Sequence, residues 1–123
     1  MKAYFHVFIT HGTKVFVQST DGKEFFVPAT AILSADPYDE AIIKHVHYTT
    51  GLTIFIEKPF FLRDSTIRGE RFLEIFVTAT AGGTETTLDE TRAKWFDPDL
   101  YETEDIVEHL HKSFETFLEF RKD

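Results

Sequence analysis

The sequence predicts one domain of the mixed α/β class, an α+β arrangement in which helices pack on one mixed sheet. Six stretches rich in β-branched and aromatic residues, two stretches with helical apolar spacing, and the turn residues between them predict this class. Their order is β-β-β-α-β-β-β-α. The 123 residues, 42% hydrophobic and including 14 Phe, are enough for one core. We therefore expect residues 1–123 to form a single domain with an aromatic core.

Three short strands are predicted first, each bounded by turn residues. Their ranges are 3–9, 15–18 and 25–27. In the first strand the odd-numbered positions are apolar, so His6 falls on the opposite face. Asp21-Gly22 tolerates a tight turn before the third strand, and Pro28 ends that strand because it cannot donate to a ladder.

A helix over residues 37–50 has clear signals at both ends. Asp36 suits the N-cap and Pro37 the first helical position. Gly51 is the residue expected just after the last turn. The apolar stripe consists of Tyr38, Ile42, Ile43 and Val46. We therefore expect this helix to pack one face on the sheet.

The second half of the chain repeats the same classes of element. The predicted strands are 52–56, 72–80 and 93–96. Residues 63–71 are polar and locally basic, which predicts a loop. A last helix over 104–121 has apolar residues at helical spacing, and Thr103 would cap it.

Composition excludes several classes of function. Without Cys the chain has no disulfide, thiolate nucleophile or Cys-based zinc site. Residues 84–123 carry 5 basic and 12 acidic side chains, and this charge argues against a nucleic-acid partner. No apolar run approaches the roughly 18 residues that span a bilayer, and the amino terminus lacks signal-peptide features. We expect no membrane partner and a cytoplasmic location.

The spacing of residues around the first helix is characteristic. Residues 27–30 read VPAT, Gly51-Leu52 pairs a Gly with a bulky aliphatic residue, and residues 92–96 read RAKWF. In these features the chain resembles the Nudix hydrolase family, whose signature is G-x5-E-x7-R-E-U-x-E-E-x-G-U after a common Leu-Pro-Gly-Gly. Counting back from Gly51-Leu52 places the first Gly of the signature at Thr30, and so does aligning residues 27–30 with Leu-Pro-Gly-Gly. The resemblance covers nearly the whole chain and implies an α/β/α sandwich with a loop-helix-loop box.

The same register shows where the box departs from the family. Asp36 would take the first Glu position, Lys44 the Arg and Gly51 the final Gly. The family's metal-binding carboxylates would fall at His45, Tyr48 and Thr49. An imidazole, a phenol and a hydroxyl form no anionic cage for Mg²⁺, which prefers carboxylate oxygens. We expect a degenerate box with no catalytic residues, no bound metal and no cofactor.

Other side chains could replace the missing acids or bind a ligand. Weak substitutes as metal ligand or general base are Glu40, Glu85 and Glu90, although a role as solvated surface acids explains them better. Candidate residues for an anionic ligand are Arg63, Arg68 and Arg71, and a stacking wall could come from Trp95, Phe96, Phe60 and Phe61. These aromatic residues also satisfy strand alternation, which favours a core role for them and a turn position for the arginines.

The histidines do not predict a metal site from their spacing. His45 and His47 are two apart on a helix, so their side chains point about 200° apart and cannot chelate one ion. His109 and His111 have the same geometry. Only a long-range contact, such as one between His45 and His6, could bring two imidazoles together.

Three functions follow from this reading. The first is a Nudix-like module that has lost hydrolysis and binds a nucleotide-like metabolite or a protein partner, including a second copy in a homodimer. The second is a divergent hydrolase that cleaves a nucleoside diphosphate derivative with a relocated Mg²⁺ or Mn²⁺ site. The third is a structural subunit without a small-molecule site. An enzyme would need at least two acidic groups converging near His45, Tyr48 and Thr49.

Overall fold

The computed structural model describes residues 2–32, 37–82, 92–103 and 105–122. Its strands are β1 (Lys2–His11), β2 (Lys14–Gln18), β3 (Ala29–Ile32), β4 (Ile54–Ile67), β5 (Glu70–Ala81) and β6 (Ala93–Phe96). Its helices are α1 (Tyr38–Thr50) and α2 (His111–Arg121), with 3₁₀ turns at Pro98–Leu100 and Glu108–Leu110. None of the helices in the described ranges is long and apolar enough to cross a membrane.

The strands form one mixed sheet of six strands. The order is β4-β5-β1-β2-β6, and β3 also pairs with β1. Strands β1 and β5 run parallel, from Lys2 opposite Phe72 to Thr10 opposite Thr80, and the other strand pairs are antiparallel. The predicted mixed sheet and the order of the elements are therefore confirmed, with the changes given below.

Two apolar clusters cover the two faces of this sheet. Because successive strand residues point to opposite faces, β1 contributes to both clusters. Val7 packs with Ile42 and Val46 of α1, whereas Phe8 packs with Phe114 and Phe117 of α2. The sheet therefore lies between the two helices, as the sequence predicts.

Helix α1 begins one residue later than predicted. Pro37 occupies the N-cap with φ −54° and ψ 131°, and Asp36 lies outside the described residues. Gly51 ends the helix with φ 80°, and its N–H donates to the carbonyl of His47 at 2.9 Å. This left-handed cap confirms the predicted carboxyl-terminal end.

The third strand lies after Pro28 instead of before it. Residues 29–32 pair with the start of β1, whereas Phe25 and Phe26 make only isolated bridges. Val7 donates its N–H to the carbonyl of Pro28 at 2.8 Å, which leads the chain into the ladder. Phe25 packs in the α2-side cluster, so its strand-like composition reflects burial and not pairing.

The predicted polar loop at residues 63–71 is wrong, because these residues form the tip of the β4–β5 hairpin. Strand pairing continues to Ile67 opposite Glu70. Arg68 and Gly69 make the turn with φ angles of 51° and 81°, the positive values that a two-residue hairpin turn requires. Residues 68–71 at the tip are exposed, so their polar sequence resembles that of a loop.

The last helix begins at His111 and not at residue 104, so Thr103 is not its cap. The hydroxyl of Thr103 donates to the carbonyl of Leu100 at 3.0 Å. Phe25 donates its N–H to the carbonyl of Asp105 and accepts the N–H of Val107. These sheet-like bonds hold the chain extended and delay the helix.

Candidate functional site

The three positions that the sequence comparison aligns with the family's metal ligands lie on α1 and carry no carboxylate. Tyr48 is 90% exposed and Thr49 is also exposed, whereas His45 is half-buried. The hydroxyl of Thr49 donates to the carbonyl of His45 at 2.9 Å. Glu40 is nine residues before Thr49, which places the two about 180° apart around the helix. Glu40 is also about 140° around the helix from His45 and about 12 Å along the axis from Tyr48, so it lies beside none of the three positions.

A groove lies beside the carboxyl-terminal end of α1. It encloses about 350 Å³ and is lined by Phe16, Gln18, Thr20, Phe26, Thr49, Thr50 and Arg92, among others. Arg92 donates from its guanidinium to the carbonyl of Thr20, which fixes one side of its planar fork. Among the described lining residues the groove has one guanidinium and no carboxylate. Its composition therefore suits an anion better than a cation.

The aromatic residues predicted as one stacking wall lie on different faces of the sheet. Trp95 packs on the α1-side cluster, with its ring 5.6 Å from that of Phe16. Phe96 is buried in the α2-side cluster. Phe60 and Phe61 also pack against the α2-side cluster. The structure therefore does not bring these four rings together.

The three candidate arginines are also spread along the hairpin. Arg68 and Arg71 are exposed near its tip, and Arg71 lies 3.9 Å from Asp64. Arg63 is half-buried and its Nε donates to the carboxylate of Glu74 at 2.6 Å. They form no common anion site. Thr30 lies in β3, Lys44 is exposed on α1, and Glu85 and Glu90 lie outside the described residues.

A second group of polar side chains lies on the α2 side of the sheet. Glu74 is fully buried, and its Oε1 lies 2.8 Å from Nε2 of His6 and 2.9 Å from Nε2 of His109. Its Oε2 accepts the bond from Arg63. The His6 ring stacks on Phe76 with centroids 4.3 Å apart. We call these four polar residues, His6, Arg63, Glu74 and His109, the Glu74 cluster.

The electrostatics of the Glu74 cluster follow from burial and its hydrogen bonds. Burial opposes ionisation of Glu74, but the bonds from His6, Arg63 and His109 outweigh it and hold the pKa of Glu74 far below its ordinary value. Burial lowers the pKa of His6, although its bond to Glu74 acts in the opposite direction. The carboxylate is therefore the stable form at neutral pH.

Sequence reasoning missed this cluster, although one signal was available. Phe72, Glu74 and Phe76 are alternate residues of one strand, so the carboxylate falls on an apolar face. A charge at such a position requires partners in the fold. The separations of 68 residues from His6 and 35 from His109 leave those partners unidentified in the sequence.

Comparison with known proteins identifies the fold. No family model matches the sequence, and no curated protein matches it significantly. The E. coli ORF135 protein has a similar structure, with a TM-score of 0.78 and 11% identity over 98% of this chain and 91% of that one. The MutT protein from Methanosarcina mazei Go1 gives 0.78 and 11%, covering 99% and 96%. A Nudix-family hydrolase from Clostridium perfringens gives 0.70 and 17%, covering 92% and 93%. The chain therefore has the Nudix fold.

Proposed function

We propose that this Nudix-fold chain binds a nucleotide-like metabolite in the groove beside α1 and does not hydrolyse it with a divalent metal. One observation carries the proposal: the three box positions that would hold metal carry His45, Tyr48 and Thr49. Mg²⁺ and Mn²⁺ favour oxygen ligands and are commonly held by carboxylates. Without such an ion, a diphosphate keeps its charge and no metal-bound water is activated.

The groove beside α1 has the parts that recognise a nucleotide. Its volume of about 350 Å³ is within the range of small-molecule sites. The fixed guanidinium of Arg92 suits a phosphate, because its planar donors match two phosphate oxygens. Phe26 is half-buried and offers a ring for stacking, while Gln18 supplies a hydrogen-bonding amide in the lining. We therefore assign the phosphate to the end of the groove at Arg92.

Thermal denaturation of the protein with a panel of nucleotides and dinucleotides tests binding, with each ligand run in EDTA and in Mg²⁺. We expect stabilisation of about 2.7 kcal/mol at a ligand concentration of 100 Kd, equal in both buffers. Arg92→Gln should remove the stabilisation. The control is Arg71→Gln, which changes an exposed arginine on the β4–β5 hairpin and should keep the stabilisation.

Two results would contradict this function. Stabilisation that needs Mg²⁺ would favour a metal-dependent site. Silence across the panel would favour recognition of a protein, including a second copy of the chain, over recognition of a metabolite.

The divergent hydrolase is the second candidate, because Glu85 and Glu90 stand shortly before Arg92 in the sequence. Arg92 lines the groove, and Glu90 stands two residues before it in the sequence. In this alternative Glu85 and Glu90 would supply ligands for Mg²⁺ or Mn²⁺, or a general base. The double change Glu85→Gln and Glu90→Gln would then abolish diphosphate turnover and leave the far-UV spectrum unchanged.

A further inference from the structure

The Glu74 cluster brings three metal-ligating atoms together on the face of the sheet opposite α1. One ring nitrogen of His6, one of His109 and a carboxylate oxygen of Glu74 all lie within 4.8 Å of one another. Both imidazole nitrogens approach the same oxygen, Oε1 of Glu74, at 2.8 and 2.9 Å. The three donors therefore converge on one point instead of forming separate pairs.

We propose that His6, Glu74 and His109 form a zinc site. Two imidazoles and one carboxylate are a known ligand set for Zn²⁺, with a water molecule in the fourth position. Ligands about 2.05 Å from a tetrahedral ion lie roughly 3.4 Å apart. Each imidazole nitrogen would therefore need to move away from Oε1 by about 0.5 Å, and the two nitrogens, now within 4.8 Å of each other, would need to approach to about 3.4 Å.

The surroundings supply access and room for the fourth ligand. The His109 side chain is 54% exposed, so an ion can reach the cluster from solvent. A cavity of about 170 Å³ adjoins the cluster and is lined by His6, His109, Tyr4 and Val107, among others. A water molecule occupies about 30 Å³ in the liquid, so this space holds one with ease.

Arg63 has two opposing effects on this site. Its Nε donates to Oε2 of Glu74 at 2.6 Å, which orients the carboxylate and leaves Oε1 to the imidazoles. Its Nη2 lies 2.6 Å from Nε2 of His109, so a positive charge stands beside a nitrogen that would bind zinc. The same Nη2 also donates to the carbonyl of His109 at 2.9 Å, a bond that remains when zinc takes the imidazole. The guanidinium charge therefore weakens zinc binding without blocking it.

This site departs from the sequence expectation of no metal. That expectation rested on histidines two residues apart, whose side chains diverge. Here the two imidazoles come from β1 and from the 3₁₀ turn Glu108–Leu110, and β5 supplies the carboxylate between them. None of the three proposed ligands lines the groove beside α1, although Phe26 borders both cavities, so zinc binding and nucleotide binding can be measured separately.

Zinc titration of the untagged protein by calorimetry tests the proposal, with Co²⁺ absorbance as a probe of tetrahedral geometry. We expect one equivalent of Zn²⁺ and intense visible Co²⁺ bands. His109→Gln keeps a hydrogen-bonding side chain at a half-exposed position and should lose both signals. His47→Ala, an exposed histidine on α1, should keep both.

Arg63→Gln separates a zinc site from a purely structural ion cluster. The zinc site predicts tighter Zn²⁺ binding in this variant and a rise of its Tm when Zn²⁺ is added. A purely structural cluster predicts a lower Tm that Zn²⁺ does not restore, and this result would overturn the proposal. Absence of zinc uptake by the native chain, or uptake that His109→Gln leaves unchanged, would overturn it as well.

Discussion

Among the described residues, Glu74 carries the only carboxylate that pairs with Arg63. Replacing Glu74 by Gln removes that negative charge. Glu74 is fully buried and accepts bonds from His6, Arg63 and His109. The amide oxygen of Gln can still accept from an imidazole, but its NH₂ group meets the donating Nε of Arg63. Losing one partner of a buried ion pair costs about 3–5 kcal/mol. The side chain of Arg63 keeps 21% exposure to water, so we expect the lower end, about 3 kcal/mol.

Urea unfolding in EDTA measures this loss, followed by the fluorescence of the single Trp and by circular dichroism. The matched control is Glu70→Gln, the same change four residues earlier in β5. Glu70 pairs with Lys2 at 2.9 Å at an exposed site, where such pairs contribute about 1 kcal/mol or less. A Glu74→Gln variant as stable as Glu70→Gln, with an unchanged m-value, would refute the assigned role of the cluster.

Three further predictions concern the frame around the sites. Gly51→Ala should lower the free energy of unfolding by about 1 kcal/mol because φ at this cap is 80°, and urea unfolding that shows no loss would contradict the cap. Since the pKa of His6 is lowered from 6.5 and that of Glu74 from 4.5, the unfolded chain binds more protons in acid. Stability measured at pH 7, 6, 5 and 4 should fall below about pH 6.5, and a flat profile would contradict both shifts. Hydrogen bonds from the backbone N–H groups of Glu24 and Lys23 and from the Ser19 hydroxyl lower the pKa of Asp21 to about 2. An Asp21 pKa near 3.8, measured by NMR titration of its carboxyl group, would contradict these hydrogen bonds.

The sequence predicted those parts of the fold that depend on local signals. Strand alternation placed His6 on the face opposite Val7, and a Gly with the expected left-handed φ ends α1. Predictions failed where distant chain segments compete for the same backbone groups. Phe25 bonds to Asp105 and Val107 across the fold, which displaced both the third strand and the start of the last helix.

For the candidate sites, too, positions on one helix could be predicted from the sequence, whereas contacts between distant strands could not. The predicted alignment of His45, Tyr48 and Thr49 with the family's ligand positions rests on spacing alone, and all three lie on the one continuous helix α1. The groove and the Glu74 cluster depend on which strands become neighbours. No local rule pairs β1 with β5, so the meeting of His6 with Glu74 lies beyond a reading of one segment at a time.

Phosphate release from nucleoside diphosphate derivatives, assayed with Mg²⁺ and with Mn²⁺, tests the central claim most directly. The box helix carries His45, Tyr48 and Thr49 where carboxylates would hold the ion, so we predict no turnover above the rate without protein. Metal-dependent turnover of any such substrate at an ordinary enzymatic rate, about 1 per second or faster, would contradict the claim.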